Sequence, residues 1–238
     1  MKSYEPKEFW ERRIDNGQGR LKSVGHLGYG DRVNQYIYQA KFNILKKLFS
    51  EISLFDKKVL DAGCGIGVFS QFYTNKKSIV VGIDISKNAV QYAKQKVPNA
   101  YFLVSKLDLS PFKDETFDII HCFDVSYHIV DNKDWKESLT EFSRIIKKDG
   151  LLIILEGWRS KEVYNAAHVR FRSKDIYVSE LENLGFQKIR EHELYLILQT
   201  YRRLTKLFPK LSLKLESLFK FKIFKKIAKA KIIIFKKE

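Results

Sequence analysis

The chain has 238 residues, of which 45% are hydrophobic and 30% charged, with two cysteines and a formal net charge of +16. That length supports one sizeable core, and that composition is ordinary for a soluble globular domain. Two cysteines, Cys64 and Cys122, exclude a disulfide framework, and no run reaches the roughly 20 apolar residues a transmembrane helix needs.

The N-terminal stretch MKSYEPKEFWERR has no apolar h-region of the secretory kind, so the expected location is the cytoplasm. The positive charge is uneven. From Tyr201 to Glu238 there are 13 Lys or Arg against two Glu, while the first 200 residues hold 31 basic and 26 acidic residues. An excess confined to an apolar-basic tail points to a membrane surface at least as strongly as to nucleic acid, and allows peripheral membrane association.

Residues 1–50 read as a helical lid or cap: a first helix, a glycine-rich loop (GQGRLKSVGHLGYGDR), and a second helix around Asn34–Phe49. Residues 51–238 read as the main domain. Lys58–Asp61 is a short apolar strand ending in an acid, with helical pattern through Phe72. Ser78–Asp84 is a second, β-branched strand, and Ser86 is placed to N-cap a helix reaching about Lys96. Ala100–Ser105 and Phe117–Phe123 are the third and fourth strands. Leu139, Phe142, Ile145 and Ile146 repeat at helical spacing within Trp135–Lys147. Leu151–Glu156 is a fifth strand, Lys174–Leu184 a helix, Phe186–Tyr195 a sixth strand, and Lys231–Phe235 a last one. Alternating strands and helices with near-continuous apolar strands predict an α/β, Rossmann-like, mostly parallel sheet with helices on both faces. Lys231–Phe235 is expected to close the sheet as an antiparallel member. Before it, at about 196–228, lies a basic insertion in which Leu204, Leu207, Phe208, Leu211, Leu215, Leu218 and Phe219 recur at helical spacing, interrupted by Pro209.

The chemistry is concentrated in VLDAGCGIGVFS, residues 59–70. A dinucleotide turn reads G-x-G-x-x-G and sets a pyrophosphate on a helix N-terminus. Here Gly63, Gly65 and Gly67 are spaced G-x-G-x-G, Val68 stands where the third dinucleotide glycine belongs, and Asp61 precedes the loop. A carboxylate there suits a cationic ligand without phosphate, such as S-adenosylmethionine, and the glycines admit close backbone approach.

VLDAGCGIG resembles motif I of the class I S-adenosylmethionine-dependent methyltransferases, of the small-molecule type. VVGIDIS, LVSKLDLSPF, FDIIHCFDVSYHI and IIKKDGLLIILE resemble that superfamily's following segments, in order and spacing, over about residues 55–157. The resemblance implies a seven-stranded sheet with the last strand antiparallel. It also implies S-adenosylmethionine as cofactor, held by Asp61, Gly63, Cys64, Gly65, Gly67, Asp84 with Ile85, Asp108 with the Leu109 backbone, and Phe123. An N-terminal aromatic or basic residue, Tyr38 or Lys41, is implied at the methionine end. No metal is expected.

Acceptor groups are expected on loops at the carboxyl ends of the strands. In Asp124-Val-Ser-Tyr127-His128, a helix would put Asp124 and His128 on one face. That makes His128 the expected general base, with Asp124 orienting it or touching the cofactor. Tyr127 joins the expected acceptor contacts, as does His26 in the glycine-rich loop. His168, Arg170 and Arg172 alternate onto one side of an extended segment and would suit a carboxylate or phosphate. The absence of an Asp/Asn-Pro-Pro-aromatic motif at Phe123-Asp124-Val125-Ser126 argues against base N-methylation. The expected activity is therefore methyl transfer to a small or amphiphilic acceptor, at oxygen. Two readings stay open beside it: an RNA methyltransferase using the basic tail, and a cofactor-binding protein without catalysis.

Overall fold

A computed structural model describes residues 4–26, 28–194, 202–218 and 230–238. Three helices come first: α1 (Pro6–Gly17), α2 (Leu21–Val24) and α3 (Asp31–Leu48). The alternating core follows as β1 (Lys58–Ala62), α4 (Val68–Thr74), β2 (Ile79–Asp84), α5 (Lys87–Lys96), β3 (Tyr101–Val104) and β4 (Phe117–Phe123). After a single 3-10 turn at Ser126–His128 come α6 (Asn132–Ile145) and β5 (Ile146–Glu156). The remainder is a hairpin of β6 (Val163–Ala166) and β7 (Val169–Phe171), then α7 (Lys174–Asn183), β8 (Phe186–Leu194), α8 (Arg202–Leu207), α9 (Pro209–Leu218) and β9 (Ala230–Lys237).

Local chemistry sets these boundaries. Pro6 occupies the first turn of α1, where its missing N–H costs nothing. The Ser86 hydroxyl accepts from Ala89 N at 3.1 Å and starts α5. The Asp131 carboxylate accepts from Lys133 N and Asp134 N at 2.7 and 3.1 Å, so α6 starts three residues ahead of the Trp135 that its apolar spacing indicates.

Seven strands form one sheet in the order β3-β2-β1-β4-β5-β9-β8. β1 is parallel to β2 and β4, β2 to β3, and β4 to β5. β9 is antiparallel to both β5 and β8, so the antiparallel member lies between two strands and β8 forms the edge. Adjacent residues of a strand face opposite sides, and the two cores show it. Val59, Ile119, Ile153, Ile232 and Ile234 pack with Val33, Ile37 and Phe69 of α3 and α4. Their neighbours Leu60, Ile120, Leu152, Ile154, Ile233 and Phe235 pack with Trp135, Phe142, Tyr177 and Leu181 of α6 and α7. Ile153, Ile154, Ile232, Ile233 and Ile234 have no solvent exposure at all, and each such side chain contributes about 2 kcal/mol of burial. Burial on both faces is why these strands read as continuous apolar runs.

The lid expected over 1–50 is pinned to the core at both ends of α5. Glu11 of α1 accepts from the Ser86 hydroxyl, Lys87 N and Asn88 N at 2.9, 2.8 and 3.1 Å, and Lys96 Nζ donates to Gly19 O at 2.7 Å. Arg13 ties α1 to the next segment, donating to Ser23 O and Gly25 O. Of the basic insertion, α8 and α9 are described, and α9 packs on α3. Phe219 and the stretches 196–201 and 219–228 lie outside the described residues, as do the side chains of Leu204 and Leu218. Among the described residues no helix is long and apolar enough to cross a membrane.

Candidate functional site

A cavity of about 440 Å³ opens where β1, β2 and β4 end, the usual ligand position in an open parallel sheet. Its volume is that of a small-molecule site. Gly63, Cys64 and Gly65 form one wall, Asp84 and Ile85 continue it, and Ser105 to Asp108 and Phe123 to Val125 extend it. Tyr4, Trp10 and Ile14 of the N-terminal segment cover it from above, and Tyr38 of α3 enters from the side.

The glycine turn is a left-handed excursion. Gly63, Gly65 and Gly67 have φ of 74°, 51° and 80°, values that favour residues without a Cβ. A Cβ on Gly63 would stand 2.3 Å from Val125 Cγ2. Gly63 N and Cys64 N both donate to Ile83 O, at 2.8 and 2.9 Å, which locks the turn to the end of β2.

Asp84 sits beneath this turn. Its carboxylate accepts from Gly65 N and Ser86 N, both at 2.9 Å. Burial pushes its pKa up to about 6, against those two amide bonds. A carboxylate accepts about four hydrogen bonds, so two remain for a diol facing the cavity.

The lining is acidic although the chain is strongly basic. Glu5, Asp84, Asp108, Asp124, Asp131 and Asp134 face it, against Lys7 and Lys106. Asp108, Asp134 and Glu137 bring one carboxylate oxygen each within 4.8 Å of the others. A diphosphate would meet repulsion here; a ligand carrying cationic centres and a ribose fits. The residues therefore fit S-adenosylmethionine, with Asp84 toward the ribose, Asp108 beyond it, and Gly63 to Gly65 beside the methionine arm.

Other expected contacts stand elsewhere. Asp61 is enclosed below the turn: Ser70 Oγ donates to it at 2.6 Å and His121 Nδ1 lies at 3.1 Å. Its carboxylate is consumed in holding β1, α4 and β4 together, so it does not meet the cavity. Gly67 is also absent from the lining; a Cβ there would stand 3.2 to 3.3 Å from Val97 and Ala93, so this glycine serves the packing of the turn on α5. Leu109 is 80% exposed outside the cavity, and its carbonyl accepts from Ser105 Oγ.

The acceptor side differs more from expectation. Asp124 has φ of 58° and precedes the 3-10 turn, so it shares no helix face with His128. Its carboxylate pairs with Lys41 instead, and Lys41 lies 4.4 Å over the Tyr38 ring. His128 faces the cavity, but its Nδ1 is 2.7 Å from His168 O, a carbonyl, so that nitrogen carries the hydrogen and Nε2 the lone pair. Burial pushes its pKa down to about 3; the hydrogen bond to the His168 carbonyl opposes this, and the charges of the His168 ring and Arg13 add to it. His128 is thus a neutral hydrogen-bonding group and a poor general base.

Arg170 and Arg172 are buried and committed. Arg170 donates to Val130 O and pairs with Glu162. Arg172 donates to Ile129 O, Asp131 O and Asn132 Oδ1 and lies 4.3 Å over Trp135. Both clamp the 129–132 loop rather than offer an anion site. His168 stacks on Phe9 at 4.4 Å and His128 at 5.6 Å, behind the cavity wall. Tyr127 packs on Phe171 at 5.0 Å, outside the lining. His26 is exposed; its ring lies 4.5 Å from Tyr29 and away from the cavity.

The lid was expected over residues 1–50, but the residues that cover the cavity were not named. Trp10 meets His128 edge-on at 4.8 Å, and Tyr4 and Ile14 complete the roof. The signal was present: Pro6 marks a helix start, and Trp10 and Ile14 are four apart on one face.

The profile of the family described as "Methyltransferase domain" matches residues 60–154. An uncharacterized protein of Methanocaldococcus jannaschii is 30% identical over 162 residues, 63% of this chain and 67% of that one. The ubiquinone/menaquinone biosynthesis C-methyltransferase of Campylobacter jejuni is 32% identical over 132 residues, 52% of this chain; the match spans only 55% of that enzyme. The fold matches magnesium protoporphyrin IX methyltransferase from Synechocystis PCC 6803 with bound SAH, with a TM-score of 0.70 at 15% identity, over 98% of both chains. This chain belongs to the class I S-adenosylmethionine-dependent methyltransferases. Its cofactor is that of the family, S-adenosylmethionine, and the relatives with named activities are enzymes of the small-molecule type.

Proposed function

We propose that this protein transfers a methyl group from S-adenosylmethionine to an oxygen of a small amphiphilic acceptor that arrives already ionised, such as a carboxylate or an acidic phenol. When bound, the cofactor supplies a methyl group on a sulfonium, a centre that needs alignment and exclusion of water more than it needs activation. The observation that carries the reading is the apolar share of the lining: Trp10, Phe69, Phe123, Val125, Ile129 and Val130 are apolar, and burial holds the pKa of the one histidine among the lining residues well below its usual value. Such a lining holds the apolar body of an acceptor and shields the reacting atoms. It abstracts no proton from a neutral alcohol. Trp10 and Tyr4 close the roof, and His128 Nε2 can accept a hydrogen bond only from a hydroxyl or N–H of the acceptor other than the ionised oxygen. The Lys41–Asp124 pair neutralises itself within the floor.

Two similar proteins are named for quinones and a porphyrin, which supports an apolar acceptor with few polar atoms. The acidic lining argues against RNA, whose run of phosphates seeks a basic groove, whereas a single ionised oxygen would be met by the positive charge of the cofactor's sulfonium. Transfer of label from S-[methyl-³H]adenosylmethionine to a panel of carboxylic acids, phenols, amines and alcohols tests the proposal. Turnover is expected on carboxylates or acidic phenols, and His128→Gln is expected to retain more than about a tenth of it. Turnover on neutral alcohols alone, with a loss of about 100-fold or more in His128→Gln, restores the base role and overturns this reading.

A further inference from the structure

Several of the described side chains of α8 and α9 are placed inside out for a water-facing segment. Thr205 and Ser212 have no solvent exposure, while Leu207, Phe208 and Leu211 are 69%, 56% and 48% exposed. A surface helix normally turns its apolar residues to the core and its hydroxyls to water. The inward face is made by Thr205, Pro209 and Ser212, with partly buried Leu213 against the core. The outward face is Leu207, Phe208 and Leu211, which line a groove with Arg32 and Asn43 of α3.

Cations surround that apolar face. Arg203, Lys206, Lys210 and Lys214 are all exposed, and no acid occurs between Arg203 and Lys214. A contiguous apolar patch rimmed by one sign of charge marks an interaction surface. Exposed leucine and phenylalanine flanked by lysines match the boundary of an anionic bilayer, where the rings enter the acyl region and the lysines reach the headgroups.

We propose that the α8–α9 face docks this protein on an anionic membrane surface, peripherally and reversibly. The surface is independent of the acceptor assigned above. One helix joins it to the site: α3 sends Tyr38 into the cavity and turns Arg32 and Asn43 toward the groove.

Flotation of the full chain with vesicles tests this. Vesicles of phosphatidylcholine with 30% phosphatidylglycerol are compared with pure phosphatidylcholine, at low and high salt. Binding to the anionic vesicles at low salt is expected, with at least about tenfold less on neutral ones and a loss as salt shortens the screening length. Replacing Leu207, Phe208 and Leu211 together by Ala should weaken partitioning about tenfold or more. Lys206→Gln and Lys210→Gln should each weaken it about fivefold. All five side chains are exposed, so circular dichroism and the thermal midpoint should not move. No flotation at low salt overturns the proposal. So does flotation unchanged by the triple alanine variant, which would put the contact elsewhere. Retention on RNA without vesicle binding, or dimerisation that the triple variant abolishes without vesicle binding, overturns it as well.

Discussion

The two ends of the cavity are built by different means. At the cofactor end, backbone does most of the work: amides of Gly65 and Ser86 fix Asp84, and the amides of Gly63 and Cys64 fix the turn. Every partner there comes from a short strand–turn–helix unit. At the acceptor end, side chains from remote segments meet. Trp10 of α1 contacts His128, His128 bonds to His168 O, and Arg172 grips the carbonyls of residues 129 and 131. A backbone cradle is specified locally and serves one ligand. An assembly of remote side chains leaves its ligand open to change and depends on the stability of its weakest segment.

Removing the centre of the cofactor end should give the largest effect. Asp84→Ala takes away the carboxylate and leaves Gly65 N and Ser86 N without acceptors. Affinity for S-adenosylhomocysteine, read by calorimetry, should fall about 100-fold or more. Breaking the acceptor end should do the opposite. Arg172→Ala leaves several carbonyls of the 129–132 loop unsatisfied and should cost about 2–4 kcal/mol of stability by chemical denaturation. Its S-adenosylhomocysteine affinity should stay within a few-fold of wild type. Equal losses of affinity in the two variants would show that the ends are not separate.

Smaller effects sharpen the same contrast. Glu156 lies behind the acceptor end, accepting from Ser126 Oγ at 2.8 Å, and burial pushes its pKa up to about 8. A buried acid with a raised pKa favours the fold when neutral. Its contribution is complete below about 4.5 and is lost as pH rises toward about 8. Glu156→Gln should therefore flatten that decline, gaining on the order of 1–2 kcal/mol over wild type at pH 8 to 9 in denaturation. The smallest effect belongs to the roof. Glu11→Ala removes the latch of α1 on the start of α5 and should raise the dissociation rate of S-adenosylhomocysteine about three- to fivefold by stopped flow, with the cavity intact.

Legibility in the sequence follows the same division. The strands through β5, the helices between, Asp84 and the glycine turn could be read because their signals are periodic and short-range, while the order of the strands in the sheet was not read. Asp61 could not: its acid preceding the glycines suits a cation, but His121, 60 residues on, takes it in the fold. Arg170 and Arg172 alternate as an anion site would, yet the carbonyls they serve belong to a loop about 40 residues earlier. His128 reads as a base until its burial is known. The inverted burial of α8 and α9 was equally hidden, since periodicity gives an apolar stripe without saying which way it faces.

The account rests on Asp84 as the ionised acceptor of a ribose in an acid-lined cavity. Calorimetric titration of S-adenosylhomocysteine from pH 5 to pH 8 tests it most directly. One site should be seen, with affinity flat above about pH 7 and falling toward tenfold per unit below about pH 6 as Asp84 takes up its proton. Asp84→Asn should bind weakly and without that dependence. Absence of binding, or an affinity in the Asp84→Asn variant equal to wild type at every pH, would contradict it.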